Sequence, residues 1–340
     1  MNVTLSLKTI AIALMATAAC ASLAEPNADN RGRDLMIKSL RGKFAVNIVA
    51  IVSQQDSSGS CYDTLKVERS AEGKIRHTFL APICMQGICS MDDGEHSFIY
   101  WPDEKRLVKQ DSRPRDEEAD RRIPLALRNY TFKFEGQCQV AGLKTLCVIA
   151  TPKAPELEVR RYYLEAKTAY PLKLETMSRG GETVVKYETK DLQFPSALDP
   201  HVFSIQTLGH IDTTEHRRPS DIDPDRAAAV MGFLPIMPKG LPMGFQIQEV
   251  QEDVSKDWHA LIIRLTDGLV RATLYQWKPK GPNDSSVKLF EKNSQREYRG
   301  IRLVILADLS QELRDKLLEA FISDAESHGA DLVDFGFSPR

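Results

Sequence analysis

The chain has 340 residues, which is enough for two domains, and its 45 Lys and Arg against 47 Asp and Glu give a formal net charge of −2. No stretch concentrates Lys and Arg on one face, which argues against nucleic acid as the main partner. After the N-terminus no stretch approaches the roughly 18 apolar residues that a membrane-spanning helix needs, so the rest of the chain is expected to be soluble.

The first 24 residues have the pattern of a secretory signal peptide. A lysine precedes an apolar run over 10–19, which is too short to span a bilayer. Small residues follow, and Ala24 is favoured over Ala21 as the cleavage position, with a buried N-terminal helix as the alternative. Lipidation of Cys20 is a weaker interpretation, because the leucine usual three residues earlier is missing. The pattern predicts export to the periplasm.

Cysteine usage agrees with export. Cys84 and Cys89 flank a short turn, and Cys138 and Cys147 lie on neighbouring predicted strands. Both spacings allow a local disulfide in an oxidising compartment, whereas the connectivity and the role of Cys61 stay open. A metal site is the alternative, but the sequence has neither a CxxC motif nor a nearby histidine pair.

Residues 25–208 are predicted to form one large domain. A short helix is expected over 29–41, and alternating apolar residues over 44–52 then predict a strand with one buried face. Further strands follow at short intervals, separated by turn residues. The charged run 111–122, which contains Pro114, is predicted to be a solvated loop. So many strands with short connections favour a large, curled antiparallel β half-barrel.

A second domain is predicted to follow a linker. Residues 209–232 are assigned to that linker, because most of this stretch is polar and almost without apolar side chains. Residues 233–340 contain several strands and then a helix over 311–327 with Ser310 as its N-cap and one apolar stripe. The predicted fold class is therefore α+β: a half-barrel with helices, followed by a smaller α+β domain.

No motif of an enzyme or a cofactor site stands out. The densest metal-like group is His210 and His216 with two acidic residues between them, but it lies in the predicted linker. Nucleophile elbows and Gly-rich phosphate loops are absent from the sequence. We therefore predict no catalytic residue, cofactor or metal, and keep an exported hydrolase only as an alternative, since dispersed catalytic residues leave no mark in one sequence.

Aromatic residues on the predicted strands form the candidate binding site. A curled sheet that is too wide to fill its own interior leaves an apolar cleft, which suits an acyl chain or an extended apolar peptide. The alternative is that the rings fill the core beneath a helix laid across the sheet. The cleft is predicted from six residues: Phe79, Phe98, Tyr100, Trp101, Phe132 and Phe134.

Short motifs occur in a shared order over most of the chain. They are Asp34-Leu35-Met36, Asp93-Gly94-Glu95, Tyr100-Trp101-Pro102-Asp103, Tyr163-Leu164-Glu165-Ala166, Asp191-Leu192-Gln193-Phe194, Leu241-Pro242-Met243-Gly244-Phe245, Thr266-Asp267-Gly268-Leu269 and Ala307-Asp308-Leu309-Ser310. Together they resemble the RseB/MucB family, periplasmic proteins that restrain the sigma-E stress response. The two cysteine pairs and the stretch 53–61 differ from that family, which leaves room for a paralogue with another partner.

The resemblance implies both a fold and a function. It implies an N-terminal half-barrel similar to the lipoprotein carriers LolA and LolB, and binding to the periplasmic segment of a membrane-anchored anti-sigma factor. The bound protein would shield that segment from the site-one protease until lipopolysaccharide, an acyl chain or a lipoprotein-derived ligand displaced it. A periplasmic lipid or lipoprotein carrier is the alternative. The oligomeric state, including a homo-oligomer, is left open.

We predict that Cys138 and Cys147 form a disulfide in protein recovered from the periplasm, because the two strands that carry them are joined by a tight turn. Counting free thiols under denaturing conditions, with and without reduction, checks this. Alkylation of both thiols without prior reduction would contradict it.

Overall fold

The computed structural model describes residues 28–55, 62–112, 115–204, 212–215, 220–222, 224–254, 259–281 and 293–327. The first described element is helix α1, Ala28–Arg41, and six strands follow it in a meander. These strands are β1 Ile48–Gln55, β2 Tyr62–Arg69, β3 Ile75–Ala81, β4 Cys89–Asp92, β5 His96–Trp101 and β6 Arg106–Asp111.

Helix α2, Arg115–Asn129, leads into a second meander of the same sheet. Its strands are β7 Tyr130–Val140, β8 Leu143–Pro152, β9 Val159–Glu165, β10 Pro171–Met177 and β11 Thr183–Gln193. The two meanders join where β1 pairs antiparallel with β11, so eleven antiparallel strands form one sheet. This large curled sheet confirms the predicted α+β class and the predicted antiparallel half-barrel in the first part of the chain.

Helix α2 corrects the prediction of a loop over 111–122. Ala119, Ile123 and Ala126 are buried and lie on one side of the helix, whereas its other side is charged. Pairs one turn apart, Glu117 with Arg121 and Glu118 with Arg122, follow the helical spacing. The charged residues that suggested a solvated loop are therefore the outer side of an amphipathic helix.

The segment predicted to be a linker contributes backbone pairing. Strand β12, Asp212–Glu215, pairs in parallel with β6 and becomes the twelfth strand of the large sheet. Strand β13, Ser220–Asp221, and helix α3, Pro224–Met231, follow. His210 and His216 lie outside the described residues. The domain boundaries stay a prediction.

A second sheet of six strands comes next. It contains β13 together with β14 Gln246–Val254, β15 His259–Thr266, β16 Arg271–Trp277, β17 Ser294–Tyr298 and β18 Ile301–Ala307. Their order in the sheet is β13-β14-β15-β16-β18-β17. The sequence did not predict β17. Helix α4, Gln311–Ser327, has the predicted bounds and buries the predicted stripe of Leu313, Leu317 and Phe321.

The two sheets are joined through a buried turn between β15 and β16. Asp267 is 0 % exposed, and its Oδ2 accepts a hydrogen bond of 2.5 Å from the Tyr130 hydroxyl of β7. The carboxylate also accepts bonds from the amides of Leu269 and Val270, so the turn itself holds it in place. Asn129 donates to the carbonyls of Asp267 and Gly244 at 2.8 and 2.9 Å. The first domain thus supplies side-chain partners to a turn of the second.

Apolar packing continues across the same contact. One cluster of buried side chains contains Phe132 and Val148 of the large sheet together with Leu261 and Leu303 of the second sheet. Gly268 lies directly against α2, where a Cβ atom would overlap the backbone of Ala126. The second sheet therefore shares a core with the first one.

We expect Gly268→Ala to destabilise the protein more than Gly94→Ala. Both glycines have positive φ, +105° and +99°, so alanine adds strain of about 1–3 kcal/mol at either position. Gly94 has open space around it, whereas Gly268→Ala must also displace α2, at a further ~1–3 kcal/mol. Denaturant unfolding of the two variants measures this difference. Equal losses would show that Gly268 does not set the contact between the sheets.

Candidate functional site

The strand register decides which aromatic side chains share a face of the large sheet. The face that carries Ile48, Ala50 and Val52 of β1 is called the inner face. Following the pairs from β1 to β6 places Phe79 and Trp101 on this inner face, because side chains alternate along each strand. The same alternation places Phe98 and Tyr100 on the outer face.

Phe98 and Tyr100 are packed core residues of the outer face. Phe98 is 5 % exposed, and both rings belong to a cluster with Cys89, Met91 and Leu107. Phe203, from a short helical turn at Pro200–Phe203, packs against this cluster from outside. Burial raises the pKa of the Cys89 thiol, as expected in apolar surroundings.

Phe79 and Trp101 are half-buried on the inner face, and neighbouring strands add apolar side chains beside them. Ile99 lies two residues before Trp101 on the same strand, with Val108 opposite it on β6. Ile75 is on the same face of β3 as Phe79. These five residues are called the inner wall: Ile75, Phe79, Ile99, Trp101 and Val108.

A cation lies at the end of the inner wall. The Arg106 guanidinium carbon is 3.9 Å from the centroid of the Trp101 ring, and Arg106 Nε also pairs with Glu104 at 2.7 Å. Such stacking on an exposed ring is worth about 0.5–1 kcal/mol and fixes the orientation of the indole. The Trp101 ring is therefore held in place while it stays only partly buried.

Phe132 and Phe134 share the inner face with the wall, but helix α1 covers them. Phe132 is buried in the same cluster as Met36 of α1. The Arg31 guanidinium carbon is 3.9 Å from the Phe134 ring centroid. Gly32 permits this approach, because a Cβ there would be 2.7 Å from the backbone nitrogen of Phe134. These two rings anchor a helix across the sheet.

The six predicted cleft residues thus fall into three groups, and their role in ligand binding stays a prediction. The sequence analysis missed Ile75, Ile99 and Val108, which lie on the same face of the sheet as Trp101. The period of two was the available signal: residues 98 and 101 cannot point to the same side of a regular strand, whereas 99 and 101 do.

The inner face also carries polar side chains. His77 Nδ1 and Ser90 Oγ lie 3.4 Å apart between Phe79 and Ile99, which is a long hydrogen bond. Among the described residues no three His, Cys, Asp or Glu side chains are close enough together to hold a metal ion.

The four described cysteines carry free thiols, with Cys84 and Cys138 exposed and Cys89 and Cys147 buried. Gly136 of β7 pairs with Cys147 of β8, so Cys138, two residues further along β7, is the diagonal neighbour of Cys147. The pKa of Cys147 is raised mainly by burial and, to a smaller extent, by the nearby charges of Cys138 and Glu135. Both disulfides stay predictions, and Cys61 lies outside the described residues.

Solved structures with a similar fold are known, although no protein-family model and no curated protein sequence matches the chain. The crystal structure of MucB aligns with a TM-score of 0.57 at 11% identity, covering 86% of this chain and 97% of that chain. MucB in complex with MucA(peri) gives 0.55 at 12%, covering 84% and 96%. The Pseudomonas aeruginosa MucA/MucB complex gives 0.55 at 11%, with the same coverages.

The architecture defines a class of protein in which a large curled antiparallel sheet is joined to a smaller α+β domain. Within this class, the chain has the fold of the RseB/MucB proteins over both domains, which confirms the resemblance at the level of the fold. Within the described part of the chain, helices are all too short or too polar to cross a membrane.

We expect Trp101→Ala to weaken the binding of an apolar ligand more than it weakens folding. The half-buried indole offers contact area to a ligand, so its loss should lower the affinity about tenfold. The same substitution should cost only ~1–2 kcal/mol of folding stability. Titration with a fluorescent fatty acid, beside a denaturant melt, measures both effects.

Phe98→Ala is the matched control, because this ring is on the same strand but buried on the outer face. It should cost ~3–5 kcal/mol of stability and leave the affinity of the remaining folded protein unchanged. If both variants lost stability and affinity alike, Trp101 would be a core residue.

Proposed function

We propose that the chain is a periplasmic regulatory protein that binds the periplasmic segment of a membrane-anchored anti-sigma factor. Bound, it shields that segment from proteolysis and releases it when a lipid or lipoprotein-derived ligand arrives. The observation that carries this proposal is the match to MucB over 97% of that chain, including both domains. Two of the similar structures are complexes of MucB with MucA, in one case with its periplasmic part.

The release step is a linkage between two ligands. A lipid that binds the free protein better than the complex lowers the affinity of the protein for the anti-sigma factor. Bound anti-sigma factor lowers the affinity for the lipid by the same ratio. The inner wall supports a lipid site, because its apolar side chains are half-buried, whereas the same face over β7 and β8 is packed beneath α1. Shared core packing between the sheets supports transmission from this wall to the second domain.

A periplasmic lipid or lipoprotein carrier is the second candidate. The inner wall favours it too, because a carrier needs an apolar surface and no protein partner. The two candidates differ in whether a peptide of the anti-sigma factor binds at all.

A protease-protection assay tests the proposal. The purified chain is mixed with the periplasmic segment of an anti-sigma factor from the same cell envelope and with the site-one protease. We expect wild-type protein to protect the segment, lipopolysaccharide or an acyl ligand to restore cleavage, and Trp101→Ala to protect equally well while resisting release. Stoichiometric uptake of acyl ligand, with no protection of the segment and no captured partner, would establish the carrier instead.

A further inference from the structure

One exposed apolar loop has no role in the fold or in the proposed function. It connects β3 and β4 and contains a short helical turn, Ile83–Met85. Ile83 is 88 % exposed, more than any other large apolar side chain among the described residues, and Leu80 near it is 40 % exposed. Cys84 is exposed beside them. The name apolar tip is used for four residues: Leu80, Ile83, Cys84 and Met85.

The apolar tip is held in one conformation by its own backbone. At the base of the tip, two backbone hydrogen bonds of 2.9 Å close the loop. The Phe79 amide donates to the Ile88 carbonyl, and the Phe79 carbonyl accepts from the Gly87 amide. Within the turn, the amides of Met85, Gln86 and Ile88 donate to carbonyls of the same loop at 2.9–3.2 Å. These amides therefore need no water, which lowers the cost of moving this part of the loop into an apolar medium.

The charge distribution restricts what the apolar tip can meet. From His77 to Met91 the sequence contains no Lys, Arg, Asp or Glu. Gly87 packs beside Pro102 of the β5–β6 turn, so that turn flanks the tip. Its four charged residues cancel in sign: Asp103, Glu104, Lys105 and Arg106. An uncharged tip with a neutral flank is complementary to the hydrocarbon boundary of a bilayer, and it offers no matching charge to an acidic or basic peptide.

Two amphipathic aromatic residues lie at the same end of the sheet. Trp101 ends β5 beside the flanking turn, and Tyr62 begins β2, half exposed. Tyr and Trp are enriched where proteins meet the headgroup region of membranes, because each combines an apolar ring with a polar atom. Phe79, at the base of the tip, is itself part of the inner wall, so the tip and the wall are continuous.

We propose that the apolar tip docks this protein on the surface of a lipid bilayer, with Ile83 inserted at the boundary between headgroups and acyl chains. Docking there brings the open end of the inner wall to the lipid phase. The interaction is apolar and independent of anionic lipid. It does not depend on the anti-sigma factor.

Flotation of the exported, purified chain with vesicles tests this, using phosphatidylcholine alone and phosphatidylcholine mixed with phosphatidylglycerol. We expect wild-type protein to float with both, with little change on adding salt, and Ile83→Asp to reduce the partition coefficient about tenfold or more. Ile83→Leu should bind like wild type. Phe194→Asp is the matched control, since Phe194 is also exposed, at 42 %, but lies at the opposite end of the strands.

Thermal melts of the Asp variants verify that both are folded, which the exposure of the two positions predicts. The proposal is overturned if wild-type protein does not float, if Ile83→Asp floats like wild type, or if the two Asp variants lose binding equally. Binding that requires phosphatidylglycerol and disappears in salt also overturns it, since the contact is then electrostatic. The protease-protection assay contains no bilayer, so failure here leaves the proposed function to be decided separately.

Discussion

The structure depends on a change in which face of one continuous sheet is buried. Along β1, the inner-face residues Ile48, Ala50 and Val52 are buried, whereas on β4 to β6 the buried residues are on the outer face. The two faces of a sheet point in opposite directions and cannot pack into the same core. Each part of the sheet therefore needs other segments of the chain to pack against its buried face. Helix α1 covers the inner face over β7 and β8, and Phe203 covers the outer face over β4 to β6. The inner wall is a half-buried part of the inner face.

The sequence predicted most strands of the structure, because alternation of apolar and polar residues reports a half-buried strand directly. It predicted α4 for the same reason, since Leu313, Leu317 and Phe321 repeat at helical spacing. It missed α2 because the apolar side of that helix is narrow and includes alanines, while charged residues dominate its composition. It missed β17, which carries a run of polar residues and is edge-paired with β18 only.

The candidate site was less predictable than the fold. Aromatic residues 98, 100 and 101 lie within four consecutive positions, but the alternation of side chains along β5 separates them onto two faces. Which face becomes core depends on distant segments, Phe203 for the outer face and α1 for the inner face. No local pattern contains that information, because tertiary packing decides it. The contact between the sheets was equally hidden: Asp267 looks like an ordinary turn residue until Tyr130 is found to bond to it.

This contact bears on how a ligand at one domain could influence a partner at the other. A flexible linker would let the two sheets move independently, and binding at the inner wall would then leave the second domain unchanged. Here β12 pairs with β6, the neighbour of the strand that carries Trp101, while β7 and α2 hold the second sheet through Tyr130, Asn129 and Ala126. Both meanders of the large sheet are thus connected to the chain that follows them. A ligand that changes the spacing of β5 and β6 therefore acts beside β12, which pairs with β6 and precedes the strands of the second sheet. Such a physical connection between two sites is what their coupling requires.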